Sequence, residues 1–398
     1  MPNGFSEARL ERLNPSLGYY IDGGDIPGCV ALVARGNTVH VTALGQQDVA
    51  GDTPMRRDAI FRIASMTKPV VATMAMILIE EGKLRLDEPV TRLLPELANL
   101  RVLRSIGAAL DDTVPAERPI TLRDALTFRL GMGAVMAAPG TYPVQAALDG
   151  GLQPGPFCVD ATPDEWIRHF TAVPLLHQPG AAWTYHIGAD LVAMLIERAT
   201  GQRLDRVLED RLFAPLGMKD TFYIVPDAKL DRLTVSYSGG AAHGGFAVFD
   251  PAQGGNATRT PKFFSGGTGL CSTADDYLAF CRMMLGMGTY KGVRILSRAS
   301  VELMTMDHLT PAQKAASPFY PGFWDANGWG FGMSVTIRRD DYVSVGSYGW
   351  DGGLGTSARI DPKEGVITIL LTNRIWREPK PEQLYTDFRT AAYQALDD

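Results

Sequence analysis

Chemistry is first suggested by the spacing Ser65-Met66-Thr67-Lys68. On a helix, residues three apart share a face with Cβ atoms roughly 5–6 Å apart, so the Lys68 amine can reach the Ser65 hydroxyl. An unprotonated amine there can take the hydroxyl proton and leave a strong nucleophile. A serine at a helix start also meets free backbone N–H groups and the positive dipole end, which favour developing negative charge. The difficulty is energetic. An ordinary lysine pKa is ~10.4, and serving as a free amine near neutrality costs about 4 kcal/mol. Burial on an apolar helix supplies part of this, and a proton-shuttling tyrosine would help. The competing interpretation is an N-cap serine followed by a solvated lysine.

Two further clusters bear on that choice. Tyr185 closes the stretch Gln178-Pro179-Gly180-Ala181-Ala182-Trp183-Thr184-Tyr185, just ahead of a helix expected from Ala189. A tyrosine at such a junction can stand in a cleft, although a packed aromatic has the same signature. The third cluster is Tyr348-Gly349-Trp350-Asp351-Gly352-Gly353-Leu354-Gly355-Thr356. Glycines on a strand permit close backbone approach, so a strand edge could offer an N–H to a carbonyl oxygen while Trp350 walls the pocket. A bulge or turn without a ligand fits equally well.

Other chemistries lack their residues. There is no H-E-x-x-H, and the histidines (His40, His169, His177, His186, His243, His308) are scattered, so no metal is expected. No G-x-x-x-x-G-K-S/T, strand-flanked G-x-G-x-x-G or G-x-S-x-G occurs, which disfavours nucleotide cofactors and the α/β-hydrolase elbow. A net charge of −6 without a basic stripe gives nucleic acid no footprint. The cysteines (Cys29, Cys158, Cys271, Cys281) show no C-x-x-C spacing. The polar start, Met1 to Leu13, lacks a signal-like apolar core, and the apolar run Val70 to Ile79 is far short of the ~20 residues that span a bilayer. The expectation is a soluble, reduced, cytoplasmic protein with no cofactor and no membrane or nucleic-acid partner.

The elements that must position these residues are legible in outline. With 45% apolar and 21% charged residues the 398-residue chain has globular composition. A hairpin is predicted from Cys29–Ala34 and Val39–Leu44, a short strand or connector at Phe61–Ala64, and a helix over Ser65–Lys83 with Gly82 at its stop. Further helices are predicted at Leu122–Thr127, Pro163–Thr171, Ala189–Ala199, Leu204–Phe213, Ala274–Leu285 and Pro381–Leu396. Strands are predicted at Val343–Gly346, Gly355–Asp361 and Val366–Asn373, and long loops at Ala138–Phe157 and Gly239–Gly269. The order implies an α/β domain from residues 1–85 and 255–398, with a mainly helical region, 86–254, inserted and the site in the cleft between them.

Three such motifs in this order resemble the serine β-lactamase and penicillin-binding-protein superfamily, most closely its class C-like branch, the family VIII carboxylesterases. The resemblance runs from about Ile26 to Asn373. It is carried also by Ile120–Thr127, by Phe213-Ala214-Pro215-Leu216-Gly217-Met218 with Asp220-Thr221, and by Gly266–Tyr277. It implies an α/β (α+β) fold with a mainly antiparallel sheet flanked by helices. It also implies Ser65 as nucleophile, Lys68 and Tyr185 as the base pair, and the backbone N–H groups of Ser65 and Gly353 as oxyanion hole. Trp350, Gly352 and Ile187 would contact substrate. No K-T-G occurs, and Ile187 stands where a lactamase carries the Asn of Y-x-N, so the resemblance favours uncharged, short-acyl esters. Asp351 would repel an anionic substrate. The alternatives are a β-lactamase or D-amino-acid peptidase, or an acyltransferase using the same acyl-enzyme.

Overall fold

The computed structural model describes residues 4–149, 151–152, 155–378 and 380–397. Both chain ends feed one eight-stranded antiparallel sheet, in the spatial order Asn327–Trp329, Ser334–Thr336, Tyr348–Gly352, Thr356–Asp361, Val366–Thr372, Gly28–Arg35, Thr38–Asp48 and Thr53–Pro54. The Gly28–Arg35 strand explains its own unbroken apolar run. Val30, Leu32 and Ala34 enter the larger core, whereas Cys29, Ala31 and Val33 enter a second core. That second core is completed by Leu13 and Leu17 from an N-terminal helix, and by Leu384 and Phe388 from a C-terminal one. With a side-chain period of two, a strand covered on both faces must be apolar throughout.

The helix Thr67–Glu80 is buried at every position from Thr67 to Leu78, so it runs through the interior instead of along the surface. It packs against Ile187–Thr200, itself buried from Ile187 to Ile196. At its N-terminus the two-residue strand Phe61–Arg62 pairs with Cys271–Ser272, and Ile63 N–H donates to the Leu270 carbonyl (2.9 Å). These bonds clamp the turn carrying Ser65 against the 265–270 segment.

Several expectations need correction. The α-helix begins at Thr67, not Ser65, which lies in the 3₁₀ turn Ala64–Met66 and caps nothing. The helix ends at Glu80, with Gly82 at φ +70° beyond it, as a stop glycine should be. No strand forms at Val343–Gly346. There the Val343 and Ser344 amides donate to the carboxylates of Asp341 (2.6 Å) and Asp361 (2.9 Å), and the strand starts at Tyr348. The predicted loop Gly239–Gly269 holds the second strand of a hairpin, Ser236–Gly240 with Gly245–Asp250, its glycines having hidden the strand pattern. The loop Ala138–Phe157 contains a short helix, Val144–Leu148, while residues 150, 153 and 154 lie outside the described ones. The hairpin also hangs on the sheet, since Val235 N–H donates to the Gln47 carbonyl (3.0 Å) and Tyr237 N–H to that of Asn373 (2.8 Å). A helical region reaching to residue 254 therefore includes a segment bonded to strands.

Candidate active site

Ser65 and Lys68 meet across the junction of the 3₁₀ turn and the α-helix, where residues three apart lie on one face. Lys68 Nζ lies 2.8 Å from Ser65 Oγ, 2.6 Å from the Gly267 carbonyl oxygen and 3.3 Å from His186 Nδ1. The lysine is 1% exposed, and its three polar neighbours are a hydroxyl, a carbonyl and an imidazole. Burial therefore pushes its pKa down to about 7, against the opposing pull of the more distant Asp190. The ~4 kcal/mol problem posed by the motif is met by the helix that carries it, which is buried from Thr67 to Leu78.

Tyr185 reaches the same hydroxyl from the opposite wall. Its loop is pinned by Thr184 N–H on the Phe128 carbonyl (2.8 Å), Thr184 Oγ1 on the Met132 carbonyl (2.9 Å) and Trp183 N–H on Ser317 Oγ (2.7 Å). Trp350 Nε1 donates to the Tyr185 hydroxyl at 2.8 Å, and that hydroxyl also contacts Ser65. Burial raises the phenol's pKa, and the bonds to Ser65 and Trp350 offset this only in part. So burial displaces the two partners of Ser65 in opposite directions, the lysine downward and the tyrosine upward.

The third motif is brought in by close backbone approach. The strand Tyr348–Gly352 pairs with Ser334–Thr336 only at Tyr348 and Gly349, which leaves Trp350 onward facing the Ser65 turn. A Cβ at Gly352 would stand 2.3 Å from the Ile63 carbonyl oxygen, an oxygen already bonded by Thr356 Oγ1 (3.1 Å). Gly352 thus sets the distance between the strand and the turn that carries Ser65; it is not among the residues lining the cavity. Gly353 does line it, and its carbonyl is fixed by the Trp376 N–H (2.8 Å). Ile187 is fully buried in the core and does not line the cavity either. Asp351 is no free charge: Arg359 pairs with it at 2.6 Å and Ser357 donates to it at 2.6 Å.

Ser65 opens onto a cavity of about 430 Å³ with an apolar lining that includes Met136, Phe249, Phe319, Tyr320, Trp350 and Leu354. Phe319 and Tyr320 come from the Pro- and aromatic-rich segment before Trp329. Trp376 and its neighbours come from the segment after the last strand, which no motif marked. Ala64, Pro156 and Leu354 are shared with a second cavity of about 390 Å³. Among the described residues, no group of His, Cys, Asp or Glu is placed to hold a metal ion, and no helix is long and apolar enough to cross a membrane.

Sequence reasoning missed His186, Asp190, Ser265 and Gly267. Asp190 is fully buried and accepts from Ser265 Oγ and from the Gly267 N–H (3.2 Å), while its second oxygen faces His186 Nε2 at 3.4 Å. Burial and the neighbouring Lys68 lower the imidazole's pKa, against the pull of Asp190. The available signal was a histidine directly after Tyr185 with an aspartate four residues on, at the start of an apolar helix.

A serine with a lysine one turn on, a tyrosine across the cleft and a strand end opposite, set between a buried helix and an antiparallel sheet, is the arrangement of the β-lactamase and transpeptidase-like fold. The chain matches the beta-lactamase family over residues 17–389 and belongs to that family; it is a hydrolase of the family's serine type. It is 37% identical over 360 residues to Protein Rv1367c of Mycobacterium tuberculosis, covering 88% of this chain and 86% of that one. It is 31% identical over 372 residues to the lovastatin esterase of Penicillium rubens, covering 88% and 89%. Among solved structures, EstCE1, described as a hydrolase with promiscuous acyltransferase activity, superposes with a TM-score of 0.80 at 27% identity, covering 97% of this chain and 99% of that one.

Proposed function

We propose that the protein is a serine carboxylesterase that hydrolyses uncharged, short-acyl esters through an acyl-enzyme on Ser65. The observation that carries this reading is the buried Lys68 amine 2.8 Å from Ser65 Oγ, with a pKa brought to about 7 by burial. Lys68 takes the Ser65 proton as Oγ attacks the ester carbonyl. Tyr185, protonated in the resting state, delivers its proton to the leaving alkoxide and is recharged from the lysine. Water then attacks the acyl-enzyme by the same route in reverse. The backbone N–H groups of Ser65 and Gly353 flank the place where the oxyanion forms, a contribution of roughly 3–4 kcal/mol per donor. Substrate preference follows from the cavity: Phe319, Trp350 and Leu354 offer apolar contact, and Asp351, a carboxylate in the lining, is already paired with Arg359. The esterase named among the relatives agrees with this class.

Acyl transfer is a second reading with its own support. The adjoining 390 Å³ cavity could seat an acceptor alcohol larger than water, and EstCE1 is described as combining both activities. The deciding experiment is a p-nitrophenyl ester chain-length panel run beside nitrocefin, with and without a bulky alcohol, on the natural protein and on Ser65→Ala. The expected outcome is fastest turnover of short acyl chains, little nitrocefin hydrolysis and no turnover by Ser65→Ala. Ester hydrolysis retained by Ser65→Ala would end the proposal, and nitrocefin as the better substrate would move it to the lactamase class.

A further inference from the structure

The contacts of Lys68 fill its bonding capacity in a way that requires a particular proton position on a neighbour. A neutral amine has two N–H bonds and one lone pair. The Gly267 carbonyl takes one N–H at 2.6 Å, and His186 Nδ1 stands 3.3 Å away for the other, provided that Nδ1 carries a lone pair. The amine's own lone pair is then left for Ser65 Oγ at 2.8 Å. Nδ1 is free when the ring proton sits on Nε2, the atom that faces Asp190 Oδ2 at 3.4 Å. Ser265 Oγ and the Gly267 N–H hold the other oxygen, Oδ1, which leaves Oδ2 buried without a hydrogen-bond partner and facing the imidazole.

Two independent features place the imidazole there. His186 has φ +87° and ψ −65°, and Ile187 N–H donates to the Tyr185 carbonyl at 3.3 Å. This is the classic γ-turn, a rare and strained conformation for a residue with a side chain. Opposite it, a Cβ at Gly267 would lie 2.8 Å from His186 Cε1, so glycine is what leaves room for the ring. Strain on one element and a missing side chain on the other converge on a single group.

We propose that His186 is a positioning residue for Lys68, its Nδ1 lone pair directing the amine's lone pair at Ser65 while Asp190 fixes the tautomer. The proposal rests on Lys68 acting as the base. When Ser65 gives up its proton, the O–H bond breaks, an N–H bond forms on Nζ, and the ammonium's three N–H groups meet three acceptors already in place: Ser65 Oγ, the Gly267 carbonyl and His186 Nδ1. No rearrangement accompanies the transfer.

His186→Leu removes the acceptor, whereas His186→Asn keeps a side-chain acceptor and tolerates positive φ. With a p-nitrophenyl ester, His186→Leu should lose kcat by about 30-fold with KM little changed, the scale of one hydrogen bond to a charged group. His186→Asn should retain most of kcat. Equal losses in both variants, an unchanged kcat in His186→Leu, or an effect confined to KM would overturn the assignment. The unmodified protein provides a check that needs no variant: ¹⁵N NMR at pH 7 should show His186 protonated at Nε2 and bare at Nδ1. The opposite tautomer, or an imidazolium, contradicts the proposal. If a phosphonate fails to label Ser65 in the natural protein, the acyl-enzyme reading falls and this one with it. Labelling of Ser65 combined with full kcat in His186→Leu overturns the His186 role alone.

Discussion

Two basic side chains stand beside residues that line the cavity, Lys68 beside Ser65 and Arg359 beside Asp351, and they are handled in opposite ways. Arg359, 16% exposed at its side chain, holds Asp351 at 2.6 Å, and Ser357 bonds the other carboxylate oxygen. Burial alone would lower the guanidinium's pKa, but the aspartate beside it outweighs that and raises it. Lys68 is buried more completely, yet its contacts are uncharged and the nearest aspartate lies beyond an imidazole. A carboxylate within reach locks a charge; neutral acceptors leave it able to titrate. The first solution holds a wall in place, and the second leaves beside Ser65 an amine that can change its charge.

The comparison breaks most visibly at Lys68. Lys68→Met should lower kcat for ester hydrolysis by about 10²–10⁴-fold, the usual worth of a positioned base, while circular dichroism and thermal melting stay near those of the natural protein. On the other wall the effect should be on stability. Arg359→Met leaves Asp351 buried and uncompensated, at a cost of roughly 3–5 kcal/mol in denaturant unfolding. Adding Asp351→Asn should recover most of that loss, because it removes the stranded charge; if the double variant is no more stable than the single one, the pair is not what holds the wall.

Smaller changes probe how the two sides are spaced. Gly352→Ala pushes a Cβ to within 2.3 Å of the Ile63 oxygen, a backbone atom that cannot step aside. It should cost about 1–3 kcal/mol of stability and depress kcat further, through displacement of the turn that carries Ser65. Trp350→Phe keeps the wall but removes the N–H that bonds Tyr185. A loss of about tenfold in kcat is expected, in line with one hydrogen bond, and rates on several esters would report it.

How much of this was readable beforehand follows the range of the interaction. Ser65 and Lys68 are one turn apart, and Tyr185 sits in a recognisable loop-to-helix junction, so local spacing and the family resemblance sufficed to bring them forward. The family and its fold were legible for the same reason, because three ordered motifs and an apolar helix survive in one dimension. Gly352 and Ile187 are expected at the substrate because they flank the right residues, yet one spaces a strand from the turn that carries Ser65 and the other packs into the core. Asp351 looked like a free repulsive charge because its partner Arg359 lies across a β-turn on the neighbouring strand. His186 was passed over as one scattered histidine among several. Its role depends on Gly267, which approaches only when distant segments fold together, and on a backbone strain that no residue pattern announces.

The central claim is that Lys68 waits as a free amine for the Ser65 proton, and its most direct test is the rate at which a p-nitrophenyl phosphonate labels Ser65 as a function of pH. With a lysine pKa lowered to about 7, the base is protonated and idle below that value and available above it. The rate should therefore rise with pH, bend near 7 and level off well before pH 9, with mass spectrometry finding the label on the Ser65 peptide. A rate still climbing towards pH 10, as an ordinary lysine would give, or a label on any other residue, would contradict the account.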